Sequence, residues 1–183
     1  MDISKEEKQI LLDAARNTIQ SLFEEVELTK PDYKKHPILK SHSGAFVTLT
    51  IDDNLRGCIG YIISDEPLFD TVCNAATSAA MHDPRFPQLS RKEFDKIHIE
   101  ISILSEPFPI ESYEDIEVGK HGLILEDEGR RGLLLPQVPI EHNMNRDQYL
   151  SALCNKAGFR SDYWQKKQLR LKAFTATVFE EEE

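Results

Sequence analysis

Two stretches of alternating residues around a short polar break constrain this chain more than anything else in it. Gly44 to Ile51 and Leu55 to Ile63 flank Asp52-Asp53-Asn54, the pattern of two strands joined by a tight turn. Centring the turn on Asp53 pairs Ile51 with Leu55, Leu49 with Gly57, Val47 with Ile59 and Ala45 with Tyr61. The opposite face then pairs Thr50 with Arg56, Thr48 with Cys58 and Phe46 with Gly60. A slip of one residue sets Ile51 against Arg56 and mixes the two faces, so this register is favoured. Phe46 across from Gly60 covers the glycine's bare backbone.

A hairpin needs a partner for its apolar face, and the flanking segments supply one. Ser4 through Leu28 reads as a long amphipathic N-terminal helix. Ser4 and Glu7 have capping-box spacing, and Ile10, Leu11, Ala14, Ala15, Ile19, Leu22, Phe23 and Val26 recur at helical intervals. Thr29 to Ser43 is a polar connection holding Pro31 and Pro37, long enough to be a candidate functional or mobile loop. After the hairpin a helix is expected from Pro67, capped by Ser64 or Asp65, with a stripe of Leu68, Val72, Ala75, Ala76 and Ala79. Asp83-Pro84 ends it, because the residue before proline resists the helical region. Ile97, Ile99, Ile101 and Ile103 then alternate with His98, Glu100 and Ser102, as in a half-buried strand.

The second half repeats this order. Leu123 to Glu126, a turn at Asp127-Glu128-Gly129 and Arg131 to Leu135 form a hairpin, followed by a helix near Asn145 to Ala157 and a strand from Leu169 to Phe179. The fold class is therefore α+β: one domain over 1–183 with repeat-like halves at roughly 44–105 and 119–180, an internal duplication of a hairpin–helix–strand unit. Its mixed or antiparallel sheets pack with helices, and the long N-terminal helix is added to them. A seam between two such halves is where a ligand is expected.

Composition narrows the partners. Lys and Arg number 22 against 32 Asp and Glu, a formal charge of −10, which argues against nucleic acid or an anionic membrane as the working partner. No apolar run approaches the ~20 residues of a membrane helix, and the polar start Met1-Asp2-Ile3-Ser4-Lys5 has no secretory core. Three cysteines in no C-x-x-C pair suit neither a disulfide framework nor a zinc ribbon. The expectation is a cytoplasmic protein with no cofactor and no metal. The run Glu180 to Glu183 reads as a solvated, frayed tail.

Chemistry is most plausible at Leu55-Arg56-Gly57-Cys58-Ile59-Gly60. Arg56 and Cys58 are two apart on one strand, so their side chains share a face about 7 Å apart. A guanidinium beside a thiol favours the nucleophilic thiolate. Gly57 and Gly60 leave room for a ligand to approach. The competing reading makes Cys58 a small buried hydrophobe and the glycines packing residues. His82-Asp83-Pro84-Arg85-Phe86-Pro87 is the second candidate. There His82 is either a general base with Asp83 fixing its tautomer or a helix-terminal cation beside a turn former. His121, in Gly119-Lys120-His121-Gly122, either enters a cleft or solvates the turn. His98 and Glu100 are either an acid–base pair or an exposed polar face.

These motifs together resemble the AMMECR-type domain family. The segments that carry the likeness are Leu-Arg-Gly-Cys-Ile-Gly at 55–60, Asp83-Pro84-Arg85-Phe86-Pro87 and Ile99-Glu100-Ile101-Ser102-Ile103-Leu104-Ser105. Gly119-Lys120-His121-Gly122, Leu135-Pro136-Gln137-Val138 and Lys156-Ala157-Gly158 follow in the expected order. The resemblance implies a two-part α+β fold with an internal duplication. It also implies association with a Memo-type protein and a radical S-adenosylmethionine enzyme in a modification pathway. Two functions remain open. One is an enzyme or enzyme component acting on a small molecule or macromolecule, with Cys58, Arg56, His121 and His82 catalytic and Gly57, Gly60, Asp83, Arg85 and Glu100 binding. The other is a non-catalytic adaptor for a protein partner.

Overall fold

The computed structural model describes residues 2–182. Ser4 caps the first helix, α1 (Lys5–Gln20), and its box with Glu7 is closed from both sides, as the spacing predicted. The helix is shorter than its apolar pattern. At Ser21 it tightens into i→i−3 bonds, Leu22 N–H to Ile19 and Phe23 N–H to Gln20, so Leu22 is left exposed beyond its end. The connection after it is ordered: a 3-10 turn covers Pro37–Lys40, and Leu39 is completely buried.

Strands β1 (Ala45–Ile51) and β2 (Asn54–Tyr61) form the expected hairpin. Pairing follows the prediction from Ala45↔Tyr61 to Leu49↔Gly57, then breaks, with Thr50 opposite Leu55 and Ile51 opposite Asn54. The turn is Asp52-Asp53, both with positive φ, a two-residue geometry that suits the strand twist. Arg56 is the extra residue, a β-bulge, and so does not pair with Thr50 as expected.

Helix α2 (Leu68–Met81) follows, with Pro67 at the cap position rather than Ser64 or Asp65. The short α3 (Arg91–Phe94) precedes β3 (His98–Leu104), which pairs antiparallel with β1. Ala45, Val47, Leu49, Ile99, Ile101 and Ile103 are fully buried on the face that α1 and α2 cover. Gly57 is essential to this contact, because a Cβ there would lie 2.2 Å from the Ala79 carbonyl oxygen of α2.

The second unit spans 105–176. It contains β4 (Phe108–Ile110), β5 (Gly122–Asp127), β6 (Arg130–Leu134), α4 (Val138–Glu141), α5 (Arg146–Lys156), α6 (Tyr163–Lys166) and β7 (Leu171–Phe174). Asn145 caps α5 with Gln148 closing the box. Its core gathers Leu123, Leu125, Tyr149, Leu150 and Leu153, and the buried Tyr149 hydroxyl donates to the carbonyls of His121, Leu134 and Leu135.

The strand expected over Leu169 to Phe179 is in fact two. After β7 the chain passes Thr175 and forms β8 (Ala176–Glu180), which joins the first sheet. The sheet orders are β2-β1-β3-β8 and β6-β5-β7-β4. In each, the first hairpin strand sits inside, and the strand after the helix pairs with it. The β1–β2, β1–β3, β4–β7, β5–β6 and β5–β7 pairings are antiparallel. Within the acidic tail Glu181 is held rather than frayed: it accepts from Arg16 and from the Ile99 N–H (2.9 Å), while its own N–H donates to the Ile99 carbonyl; Glu183 lies outside the described residues.

Candidate functional site

Strand β2 lies at the edge of its sheet, so alternate main-chain groups on it face away from β1 and need partners. Cys58 obtains both of its own from the segment after α2. Its N–H donates to Asp83 Oδ2 at 2.9 Å, and its carbonyl accepts from Arg85 Nη2 at 3.2 Å. Arg85 closes the clamp on Asp83 itself, through Nη2 at 2.7 Å and Nε at 3.0 Å. The Asp83 side chain is only 2% exposed. The guanidinium beside it, then the Cys58 and Arg85 N–H groups, hold its carboxyl well below the usual range. Sequence reading gave Asp83 to His82. The structure gives it to Arg85 and Cys58, and His82 stands exposed at the end of α2.

Arg56 reinforces the same segment. The bulge buries its side chain, which donates to Glu93 Oε1 at 2.8 Å, Glu93 Oε2 at 3.2 Å and the Pro87 carbonyl at 2.9 Å. Glu93 also closes the capping box of α3 with Ser90. Arg56, and then the Ser90 N–H, bring the Glu93 carboxyl down to about 2. Phe86 is flanked by two guanidiniums, Arg56 at 5.9 Å and Arg85 at 5.6 Å from its ring centre. Each positive charge therefore has its own carboxylate, and Arg56 serves the loop rather than the thiol.

The thiol points elsewhere. Cys58 is half-buried on the sheet face away from α2, where the Thr48 hydroxyl donates to its sulfur at 3.4 Å. Pairing of Thr48 with both Cys58 and Glu100 sets Cys58, Thr48 and Glu100 in one row across three strands. One row along, Phe46 lies over Gly60, with its ring carbon 2.4 Å from where a Cβ would stand, so that space is filled. His98, further along the same face, contacts Glu180 at 3.2 Å.

Thus Arg56, Gly57, Cys58, Gly60, Asp83, Arg85 and Glu100 all belong to the first unit, in two layers. Arg56, Asp83 and Arg85 fix the β2 edge, while Cys58 and Glu100 occupy the open face. His121 belongs to the second unit, is 7% exposed, and accepts the Glu117 N–H on Nδ1 at 3.2 Å. That bond makes Nε2 the protonated nitrogen of the neutral ring. Two residues escaped the sequence reading. Thr48 was visible as the cross-strand partner of Cys58, and Glu93 as the end of a Ser-x-x-Glu box. Among the described residues no group of three or more His, Cys, Asp or Glu is placed to hold a metal. None of their helices is long and apolar enough to cross a membrane.

Comparison with known proteins decides the family. The AMMECR1 family model matches residues 12–179. The chain belongs to the AMMECR1 family. Its relatives include Mbar_A1807 of Methanosarcina barkeri, 42% identical over 92% of this chain and 87% of that protein. MK0488 of Methanopyrus kandleri is 40% identical over 99% and 91%. The solved structure of the uncharacterized protein PH0010 from Pyrococcus horikoshii is 36% identical, with a TM-score of 0.86 over 98% of this chain and 94% of that one. The clamp between the 55–60 and 83–87 segments is thus a contact between two stretches that carried the family resemblance.

Proposed function

We propose that this AMMECR1-family chain is an enzyme or enzyme component working through the Cys58 thiol on a small-molecule or macromolecular substrate. One observation carries the reading: Cys58, half-buried, has its N–H and its carbonyl bound by Asp83 and Arg85, while its sulfur accepts from Thr48 on the face away from α2. A hydrogen bond donated to sulfur favours the thiolate, and a fixed main chain holds the nucleophile at one place on the open face. Glu100, across Thr48 in the same row, is assigned proton transfer to and from the bound substrate. His82 and His121 are further proton-transfer candidates, each tested by its alanine variant. The two glycines act as packing positions that let Arg56 and Cys58 reach their places. The protein works in the cytoplasm beside a Memo-type protein and a radical S-adenosylmethionine enzyme, as the family resemblance implies.

The adaptor reading rests on a different fact: Arg56 and Arg85 are both neutralised, by Glu93 and Asp83. Cells lacking their own copy separate the two. If the thiol does chemistry, Cys58→Ser abolishes rescue while the fold, read by circular dichroism, and partner capture are unchanged. Full rescue by Cys58→Ser rejects the enzyme reading and leaves the adaptor.

A further inference from the structure

At the tip of the β5–β6 hairpin, within the second unit, lies a groove of about 650 Å³. It gathers the cations Arg130, Arg131, Lys167 and Arg170 with the carboxylates Glu126, Asp127 and Glu128, a local excess of positive charge in a chain whose formal charge is −10, and Glu128 accepts from the Tyr163 hydroxyl. Glu126 pairs with Arg131 across the hairpin, and the Leu125↔Leu171 pair sets Arg170 one position on, in line with Glu126. Leu125 and Leu171 are buried, so Glu126, Arg131 and Arg170 share the opposite face of the sheet. Two guanidiniums therefore flank one carboxylate.

The existing partners leave this charge available. Arg131 meets Glu126 at 3.0 Å, but their side chains are 46% and 53% exposed, and such a pair holds weakly. Arg170 has no ion pair or hydrogen bond among the described residues. Arg130 is held without a carboxylate, donating to the Gly158 carbonyl at 2.6 Å and lying 4.9 Å over the Phe159 ring. Lys167 alone is firmly engaged, on both oxygens of Asp127. The first hairpin makes the contrast. There a bulge turns Arg56, the residue before Gly57, inward onto Glu93. The β5–β6 register runs unbroken, so Arg131, before Gly132, stays outward.

We propose that this groove binds the phosphate group of a small phosphorylated ligand, gripped by Arg131 and Arg170. Planar guanidinium forks match phosphate oxygens in pairs. The volume falls within the range of small-molecule sites, so the rest of the ligand has room along the groove. Glu126 is the internal competitor that the phosphate displaces from Arg131.

Titrating pyrophosphate into the ¹⁵N-labelled chain tests this. The expected result is a saturable set of amide shifts confined to the two β5–β6 strands and the start of β7. Arg170→Ala weakens binding by about tenfold, the loss of one charged hydrogen-bonding partner. Glu126→Gln, which frees Arg131, tightens it by about threefold, the scale of an exposed ion pair. Both side chains are at the surface, and circular dichroism checks that each variant is folded. Absence of saturable shifts overturns the proposal. So does wild-type affinity in Arg170→Ala, or weaker binding in Glu126→Gln. A phosphoserine peptide that binds more tightly than pyrophosphate overturns the assignment to a small ligand.

Discussion

Asp83 accepts hydrogen bonds from one side chain and two main-chain N–H groups, and its removal leaves the Cys58 N–H unpaired at a sheet edge. Asp83→Ala is expected to cost about 2 kcal/mol, the scale of charged hydrogen bonds discounted for a half-exposed Arg85, read as a lower urea midpoint. The pH dependence follows from sign. Asp83 and Glu93 both have folded-state carboxyls below their unfolded values, so the unfolded chain binds more protons and stability rises with pH. Their contribution is fully present above about pH 5 and is lost as pH falls through about 4 toward 2. The deficit of Glu93→Gln against the parent, measured by urea unfolding, should be clear at pH 7 and much smaller near pH 2. A deficit that stays constant across that range means that the carboxylate charge is not what Arg56 holds. Residue identity made Arg56 and Cys58 visible in the sequence. Which carboxylates they meet was not, because Glu93 and Asp83 reach them by folding back 37 and 25 positions.

Elements were legible where period and capping agreed. The hairpin register from Ala45 to Leu49, the Ser4 box and the strand of alternating isoleucines follow from local pattern. The break at Arg56 does not, since a bulge is chosen by what the inserted side chain finds after folding. The same limit applies to α1, whose apolar pattern continues past Ser21 although the helix stops there. Glycines separate two kinds of constraint. At Gly57 a Cβ meets the Ala79 carbonyl of α2, whereas Gly129, at φ +72°, has open space around it. Gly57→Ala is therefore expected to cost about 3 kcal/mol or more, because a strand must part from a helix. Gly129→Ala should cost about 1 kcal/mol, from backbone conformation alone. Thermal unfolding of the two variants gives the comparison, and equal losses would mean that the β2–α2 contact relaxes freely.

The whole molecule is a pair of four-stranded sheets with matching strand orders, and each hairpin places a glycine, Gly57 or Gly132, against the following helix or its C-cap. The last strand was not legible in the sequence. Leu169 to Phe179 reads as one strand, yet its apolar positions change phase from Leu169, Leu171 and Ala173 to Phe174, Ala176 and Val178, and the fold divides it at Thr175 between two sheets. Glu181 was not legible for a related reason: it reads as one more solvated glutamate until Arg16 and the Ile99 N–H are found facing it, while Glu180 and Glu182 are exposed as expected. Truncation after Ala176 should strip hydrogen-exchange protection from β3 while leaving β5 and β7 protected. Uniform loss through both sheets would show that the two units do not respond separately.

The central claim is that a clamped main chain presents a working thiol, and alkylation against pH measures it most directly. Iodoacetamide labelling of the native protein, followed by mass spectrometry at Cys58, Cys73 and Cys154, carries its own references, because burial pushes the latter two thiols up. The account predicts that Cys58 is labelled faster than either across the pH range. It predicts further that Thr48→Val, which removes the hydroxyl donor to sulfur, slows Cys58 labelling at pH 7. A Cys58 labelled no faster than Cys73, at a rate that Thr48→Val does not change, contradicts it.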